Sequence, residues 1–185
     1  MKDENGIVLD FLKRGHAAQM RSHPIAQVLG EEYLNLLEVV PRDDISLKPQ
    51  DPVYIGEGKR DVVKSIIGRV PANKLTATAQ SELPFAIEKI IDKNEKKYVD
   101  FFNTSGAVTT RQHQLELLPS IGKKHMWELL DERKKKPFES FEDIKTRVPL
   151  VPNPKKAVIK RITEELEGDT KWHLFTHPPR AEREY

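Results

Sequence analysis

The sequence predicts an α+β chain of two domains, a β-rich half followed by an all-helical half. Three observations carry this. Up to residue 106, short runs rich in Val, Ile, Tyr and Phe alternate with turns containing Pro and Gly. From Thr109 onward, apolar residues recur at spacings of three and four behind Ser, Thr and Asn, residues that cap helices. No cysteine occurs among the 185 residues, so neither half is a disulfide scaffold or a cysteine zinc or iron–sulfur module.

The first strand is Ile7 to Leu12, and the polar stretch Lys13 to Pro24 reads as a loop. A second apolar segment opens at Ile25 and turns at Leu29-Gly30-Glu31-Glu32. Tyr33 to Val40 is a strand rather than a helix, because two β-branched residues end it and Pro41 stops it. Prolines 41, 49 and 52 mark a loop before the short strand Val53-Tyr54-Ile55. Val62 to Val70 is β-branched, with Gly68 as a candidate bulge.

A helix is predicted near 81–94, where Phe85, Ile87, Ile90 and Ile91 form an apolar stripe. Ser81 is its expected N-cap, which places Pro84 in the first turn, where it costs no hydrogen bond. An earlier start at Thr76 or Thr78 would put Pro84 inside the helix and require a kink. Tyr98 to Phe102 is expected as a closing strand, with its aromatic side chains in the core rather than on a base-stacking face. Several strands with one helix before the last suit a small barrel of the OB kind, and other small β-barrels nearly as well. The domain boundaries expected are 1–106 for the barrel, 107–175 for the helical domain and 176–185 for a polar tail.

In the helical half, Thr109 or Thr110 is expected to cap a first helix running to Leu118. A second spans Gly122 to Arg133, and a third opens at the capping-box pattern Ser140-Phe141-Glu142-Asp143. Asn153-Pro154 places an N-cap before proline at the first helical position of a fourth, ended by Gly168. Trp172 and Phe175 are expected to pack a strap, 170–175, back on the body, and Trp127 to be a core or interdomain residue.

Chemistry concentrates at Leu118-Pro119-Ser120-Ile121-Gly122-Lys123-Lys124. A connection this short makes two helices close neighbours. Gly122 is expected to take a backbone conformation closed to other residues, and Ser120 to cap the second helix. The first amides of a helix have no internal acceptor and carry partial positive charge, so they seat an anion. The amides of Ile121 and Gly122, with Lys123 and Lys124 beside them, form the expected phosphate site. Arg133 and Lys134, in a basic run that ends at Lys136, and Lys155 and Lys156 would extend it. Each of these cations also has a plainer reading as a solvated helix face or a helix C-terminal charge.

This hairpin resembles the helix-hairpin-helix modules that bind DNA and RNA, whose pattern is hydrophobic, Gly, hydrophobic, Gly, then a basic residue. Ser120 stands where the first Gly is usual, Ile121 at the buried position and Gly122 at the second Gly. The resemblance implies backbone phosphate binding by the hairpin amides, without sequence readout. The last two helices resemble a second copy, but their connection, Val148 to Pro154, holds three prolines, each lacking an amide donor.

Over nearly its whole length the chain also resembles an archaeal family of uncharacterised proteins, domain of unknown function 655. The stretches that carry this are Leu36 to Pro41, Val53 to Gly56, Phe101 to Asn103, Leu115 to Pro119 and Pro137 to Ile144. The resemblance implies a β-barrel-like half, a helical half and RNA binding, and brings no catalytic residues.

Other classes find little support. Hydrophobic residues are 37% and charged residues 32%, which describes a folded, polar chain. No apolar run approaches the ~18 residues of a membrane span, and the acidic N-terminus is unlike a signal peptide. A cytoplasmic location is expected. The net charge of +2 is too small to argue for a polynucleotide partner, so local charge must. The six histidines have no metal-ligand spacing, and no Walker loop, dinucleotide turn or HExxH occurs. No cofactor, metal or enzymatic activity is expected. The partner expected is nucleic acid, RNA ahead of DNA, with a protein partner as an option for the barrel. The rival readings are a scaffold in a translation or repair complex and an undetected hydrolase or nuclease.

Overall fold

The computed structural model describes residues 2–15, 23–168 and 170–178. The centre of the expected 13–24 loop and the tail beyond 178 lie outside the described residues. Two compact units are present, Met1–Ala86 together with Glu164–Tyr185, and Ile87–Thr163. The boundary expected at 106–107 lies inside the second.

The first unit is a curled, five-stranded antiparallel half-barrel sheet. Its strands are β1 (Asn5–Leu12), β2 (Ile25–Gly30), β3 (Leu36–Pro41), β4 (Pro52–Tyr54) and β5 (Val63–Arg69). Their order across the sheet is β4-β1-β2-β3-β5, which leaves β4 and β5 as the edges. The strands expected at 7–12, 33–40, 53–55 and 62–70 are present, and the apolar segment that opens at Ile25 is β2. Val8, Val28, Val39, Val53, Ile55 and Val63 share one buried cluster, the inward set of the pleat. The expected bulge is real. Glu38 pairs with Gly68 but Val39 with Ile66, so Ile67 is an extra residue on β5.

The helix α1 runs from Ala77 to Lys93, so it starts earlier than expected. Thr76, not Ser81, caps it: Thr76 Oγ1 accepts the amide of Ala79 at 3.0 Å, whereas Ser81 Oγ donates back to the Ala77 carbonyl. Pro84 lies inside the helix, on its exposed side, where solvent can satisfy the carbonyl left without a donor. The stripe is also shifted. Phe85 is 61% exposed, and the buried residues are Leu83, Ala86, Ile87, Ile90 and Ile91. The start of α1 is fixed by a buried side chain on β2. Gln27 donates to the Lys74 carbonyl and accepts the Thr76 amide at 2.9 Å, while Thr76 Oγ1 donates to Asp10.

The expected strand at 98–102 is instead a helix, α2 (Glu95–Thr104). Its buried residues, Tyr98, Val99 and Phe102, recur at one and four, which is one face of a helix, and Lys96 pairs with Asp100 one turn on. The aromatic residues do pack inward: Phe102 meets Phe141 edge to face at 6.3 Å. The helix expected between Thr109 and Leu118 is also corrected. A hairpin of β6 (Ala107–Thr109) and β7 (Gln112–His113) precedes a single 3-10 turn, Gln114–Leu117. His113 caps that turn, accepting the Leu115 amide while its own amide donates to Glu116.

Then come α3 (Lys123–Lys135), α4 (Phe141–Arg147) and α5 (Pro154–Glu167). Both predicted caps form: Ser140 Oγ accepts the Asp143 amide and Asn153 Oδ1 the Lys156 amide. The expected strap is tied down by one carboxylate. Glu165, 1% exposed, accepts the amides of Leu174, Phe175 and Thr176 and the Thr176 hydroxyl.

Candidate nucleic-acid interface

Residues Leu118 to Ile121 form a tight turn in which the Ile121 amide donates to the Leu118 carbonyl at 3.1 Å. Pro119 takes the second position and Ser120 the third, with φ of 69°, the pattern of a type II turn. The left-handed residue is therefore Ser120. Gly122, at φ −90° and ψ −179°, is in extended backbone open to any residue, and this corrects the expectation for it. Gly122 is also the N-cap of α3 and Ser120 is not, so no side chain caps that terminus. A Cβ at Gly122 would meet nothing within 4 Å.

Leu118 and Ile121 are buried and anchor the turn. Arg161, itself buried, donates to the Leu117 carbonyl at 3.2 Å and fixes the approach from α5. His125 Nδ1 lies 3.1 Å from the Ser120 carbonyl. Because that carbonyl can only accept, the nitrogen is the donor.

On this frame the first turn of α3 faces outward, with Gly122, Lys123 and Lys124 exposed. The Ile121 amide is consumed by the turn, so an anion seat begins one residue later than expected. Among the described residues the amides of Gly122, Lys123, Lys124 and His125 have no acceptor, and neither lysine has an ion-pair partner. Such a terminus favours negative charge by about 0.3–1 kcal/mol when exposed.

The remaining expected cations divide. Arg133 is turned inward, donating to the Phe102 carbonyl at 2.9 Å and to Ser105 Oγ, where it closes the end of α2. Lys155 lies between Glu88 at 2.9 Å and Asp92 at 2.6 Å. Both fasten one element to another, and their partners lie too far along the chain for a local pattern to report. Lys134 is exposed but pairs with Asp131. Lys156 is exposed, without an ion-pair partner among the described residues. Trp127, expected in a core or between domains, is 58% exposed on α3 one turn beyond Lys123.

The second connection repeats the first in outline. The Val151 amide donates to the Val148 carbonyl at 2.9 Å, and both residues are buried, as Leu118 and Ile121 are. It differs where proline was expected to matter: Pro152 and Pro154 bracket the N-cap Asn153, whose side chain takes the Lys156 amide. Among the described residues no cluster of His, Asp or Glu could hold a metal, and no helix is long and apolar enough to cross a membrane.

These features define a mixed α/β protein with a curled five-stranded antiparallel half-barrel sheet and five helices. Residues 2–177 match the family described as protein of unknown function (DUF655), and the chain belongs to that family. The uncharacterised protein MJ0038 of Methanocaldococcus jannaschii is 40% identical over 170 residues, which cover 91% of this chain and 77% of that one. Af1531 from Archaeoglobus fulgidus, a crystal structure of the same family, superposes with a TM-score of 0.88 at 49% identity, covering 95% of this chain and 100% of that chain.

Proposed function

We propose that this protein binds the sugar–phosphate backbone of nucleic acid, RNA ahead of DNA, at the turn formed by Ser120 to Lys124. One observation carries the reading. Among the described residues, four successive amides, Gly122 to His125, lack an acceptor and Lys123 and Lys124 lack an ion-pair partner, at a helix start with no capping side chain whose first residues are exposed. Leaving that start to glycine, without a capping side chain, forgoes roughly a few tenths of a kcal/mol of helix stability, which an anion arriving from outside recovers.

In this reading the turn at Leu118–Ile121 is the binding member of a helix-hairpin-helix pair, and Val148–Val151 is its structural companion. The first helix of the binding member is reduced to a 3-10 turn. The sheet is an OB-like barrel left open between β4 and β5. Phosphate contacts position without reading sequence, so little sequence preference is expected. No catalytic role is assigned, and the location proposed is cytoplasmic.

The test is affinity for single- and double-stranded RNA and DNA against salt. The log–log slope should steepen by roughly one unit per phosphate neutralised, and Lys123→Ala with Lys124→Ala should reduce it by about two. A flat salt response overturns the proposal.

Exposed Trp127 favours one rival, a protein-interaction scaffold using the same face of α3. A Gly122→Val, Lys123→Ala, Lys124→Ala variant separates the two, since the space around Gly122 accommodates a side chain. Unchanged nucleic-acid affinity in that folded variant selects the scaffold. Incubating labelled RNA and DNA with divalent metal tests for a hydrolase.

A further inference from the structure

The half-barrel holds a cleft lined by residues that the helical turn does not contribute. Strands β4 and β5 are consecutive in the chain but do not pair, and a cleft of about 860 Å³ lies along the gap between them. That volume is within the range of about 300–1,000 Å³ usual for small-molecule sites. Leu37 and Ile66 give its apolar lining, Tyr54 its aromatic ring, and Arg60 and Arg69 its cations.

The bulge explains why Ile66 and Arg69 share this cleft. On an unbroken strand, residues three apart point to opposite faces. The extra residue, Ile67, reverses the alternation, so Arg69 is turned to the side of Ile66. Tyr54 is held as a fixed platform. Its hydroxyl accepts the Gly58 amide at 3.1 Å, and a Cβ at Gly56 would come within 2.5 Å of that hydroxyl. A side chain at position 56 would displace the Tyr54 ring from this turn. The Arg60 backbone is fixed as well, its carbonyl accepting from Arg42 Nε at 2.9 Å.

Formal charge in the cleft is balanced, with Lys2, Arg60 and Arg69 against Asp3, Glu4 and Glu57, but two of the carboxylates are engaged elsewhere. The Asp3 carboxylate is buried and accepts the amides of Glu32 and Tyr33 and the side-chain amide of Asn35. Glu57 is paired with Lys2, whose ammonium holds the Glu57 carboxyl below its ordinary range. Glu4 is the remaining carboxylate of the lining, and the guanidinium groups of Arg60 and Arg69 have no acceptor among the described residues.

We infer that this cleft binds a nucleotide unit, with the base stacked on Tyr54 and the phosphate held by Arg60 and Arg69. A flat ring, an apolar lining and two unpaired guanidinium groups fit an anionic ester that carries a planar base. A free mononucleotide and one residue of a single-stranded RNA share that chemistry.

The probes are adenosine 5′-monophosphate and a ten-residue oligoadenylate, titrated calorimetrically and by the amide shifts of Gly56 and Gly58. Tyr54→Leu, Arg60→Ala and Arg69→Ala should each weaken binding by about tenfold, while Tyr54→Phe retains it. Thermal melts confirm that the variants are folded. Binding of both probes identifies a mononucleotide site, and binding of the oligomer alone a strand site. If neither probe shifts those glycines, or the three variants bind as the parent does, the cleft is not a nucleotide site. The Lys123→Ala, Lys124→Ala variant, run in parallel, separates this from the helical turn. A loss there with the cleft variants unchanged removes the cleft and keeps the turn, and the opposite pattern removes the turn and keeps the cleft.

Discussion

His125 Nδ1 donates to the carbonyl oxygen of Ser120 across 3.1 Å, joining the left-handed corner of the turn to the first turn of α3. This bond helps hold Ser120 at a φ of 69°, which costs a residue with a Cβ about 1–2 kcal/mol. Ser120→Gly relieves that strain but adds unfolded-state entropy, so it should be near neutral. Ser120→Val should lose about 1–2 kcal/mol, and His125→Ala about 1 kcal/mol. Urea denaturation checks all three. A Ser120→Val protein as stable as the parent would mean that the corner is not left-handed in solution.

Gly122→Ser gives the opposite pairing of effects. Its backbone is extended and the space around it open, so serine fits and supplies the missing cap. Stability should rise by a few tenths of a kcal/mol. The new hydroxyl then occupies an amide that the proposed phosphate needs, so polynucleotide affinity should fall. Melting temperature and filter binding on one preparation read both.

Arg147 fastens the far end of α3. Its Nη2 donates to the Glu132 and Lys136 carbonyls at 2.6 and 2.7 Å, its Nη1 reaches Asp143, and its guanidinium lies 4.5 Å from the centre of the Phe138 ring. Three roles are filled by one planar group. Arg147→Ala should cost about 2–3 kcal/mol, and Arg147→Lys should recover little, because an ammonium has no fork and stacks poorly. Equal stability of the lysine variant would assign the effect to charge alone.

The strap depends on Glu165 in the same way. Glu165→Ala leaves the Leu174, Phe175 and Thr176 amides without their acceptor, at about 1–3 kcal/mol in total if water reaches them. Limited proteolysis should then cut within 170–178 at a protease concentration that leaves the parent intact. An unchanged cleavage pattern would show that the strap is held by packing of its own side chains.

Sequence reading found β1, β3, β4 and β5 because short β-branched runs end there at proline and glycine, whereas β2, buried along its whole length, showed only as an apolar segment. It misread Tyr98 to Phe102 because three aromatic residues and a valine favour strands intrinsically, while the deciding fact, burial of Tyr98, Val99 and Phe102 on one side, is tertiary. At Thr109 a capping residue was visible, but the hairpin from Ala107 to His113 was hidden by its three- and two-residue strands. In the candidate site, the exposed turn and lysines 123 and 124 were legible as local sequence. The inward turn of Arg133 and the capture of Lys155 by Glu88 and Asp92 depend on residues 28 and more positions away, which no local pattern reports.

His113 makes stability depend on pH in a defined direction. Its Nδ1 accepts the Leu115 amide at 3.1 Å, which requires an unprotonated nitrogen. Burial first, then the nearby charge of Arg133, hold its pKa below the ordinary value, against a smaller opposing pull from Glu116. The unfolded chain protonates near pH 6.5. Below that pH the unfolded state binds the extra proton and the folded state resists it, so stability falls as pH drops, until the folded imidazole also titrates. Above about 6.5 this contribution is complete and flat. Other groups titrate in the same range, so the informative quantity is a difference. Urea midpoints of the parent and of His113→Asn, which keeps a short capping acceptor, are compared between about pH 8 and about pH 5. The parent should lose more stability than the variant across that interval. Parallel curves would mean that the imidazole titrates alike in both states, and that the cap on the 3-10 turn leading into the hairpin does not depend on its deprotonated nitrogen.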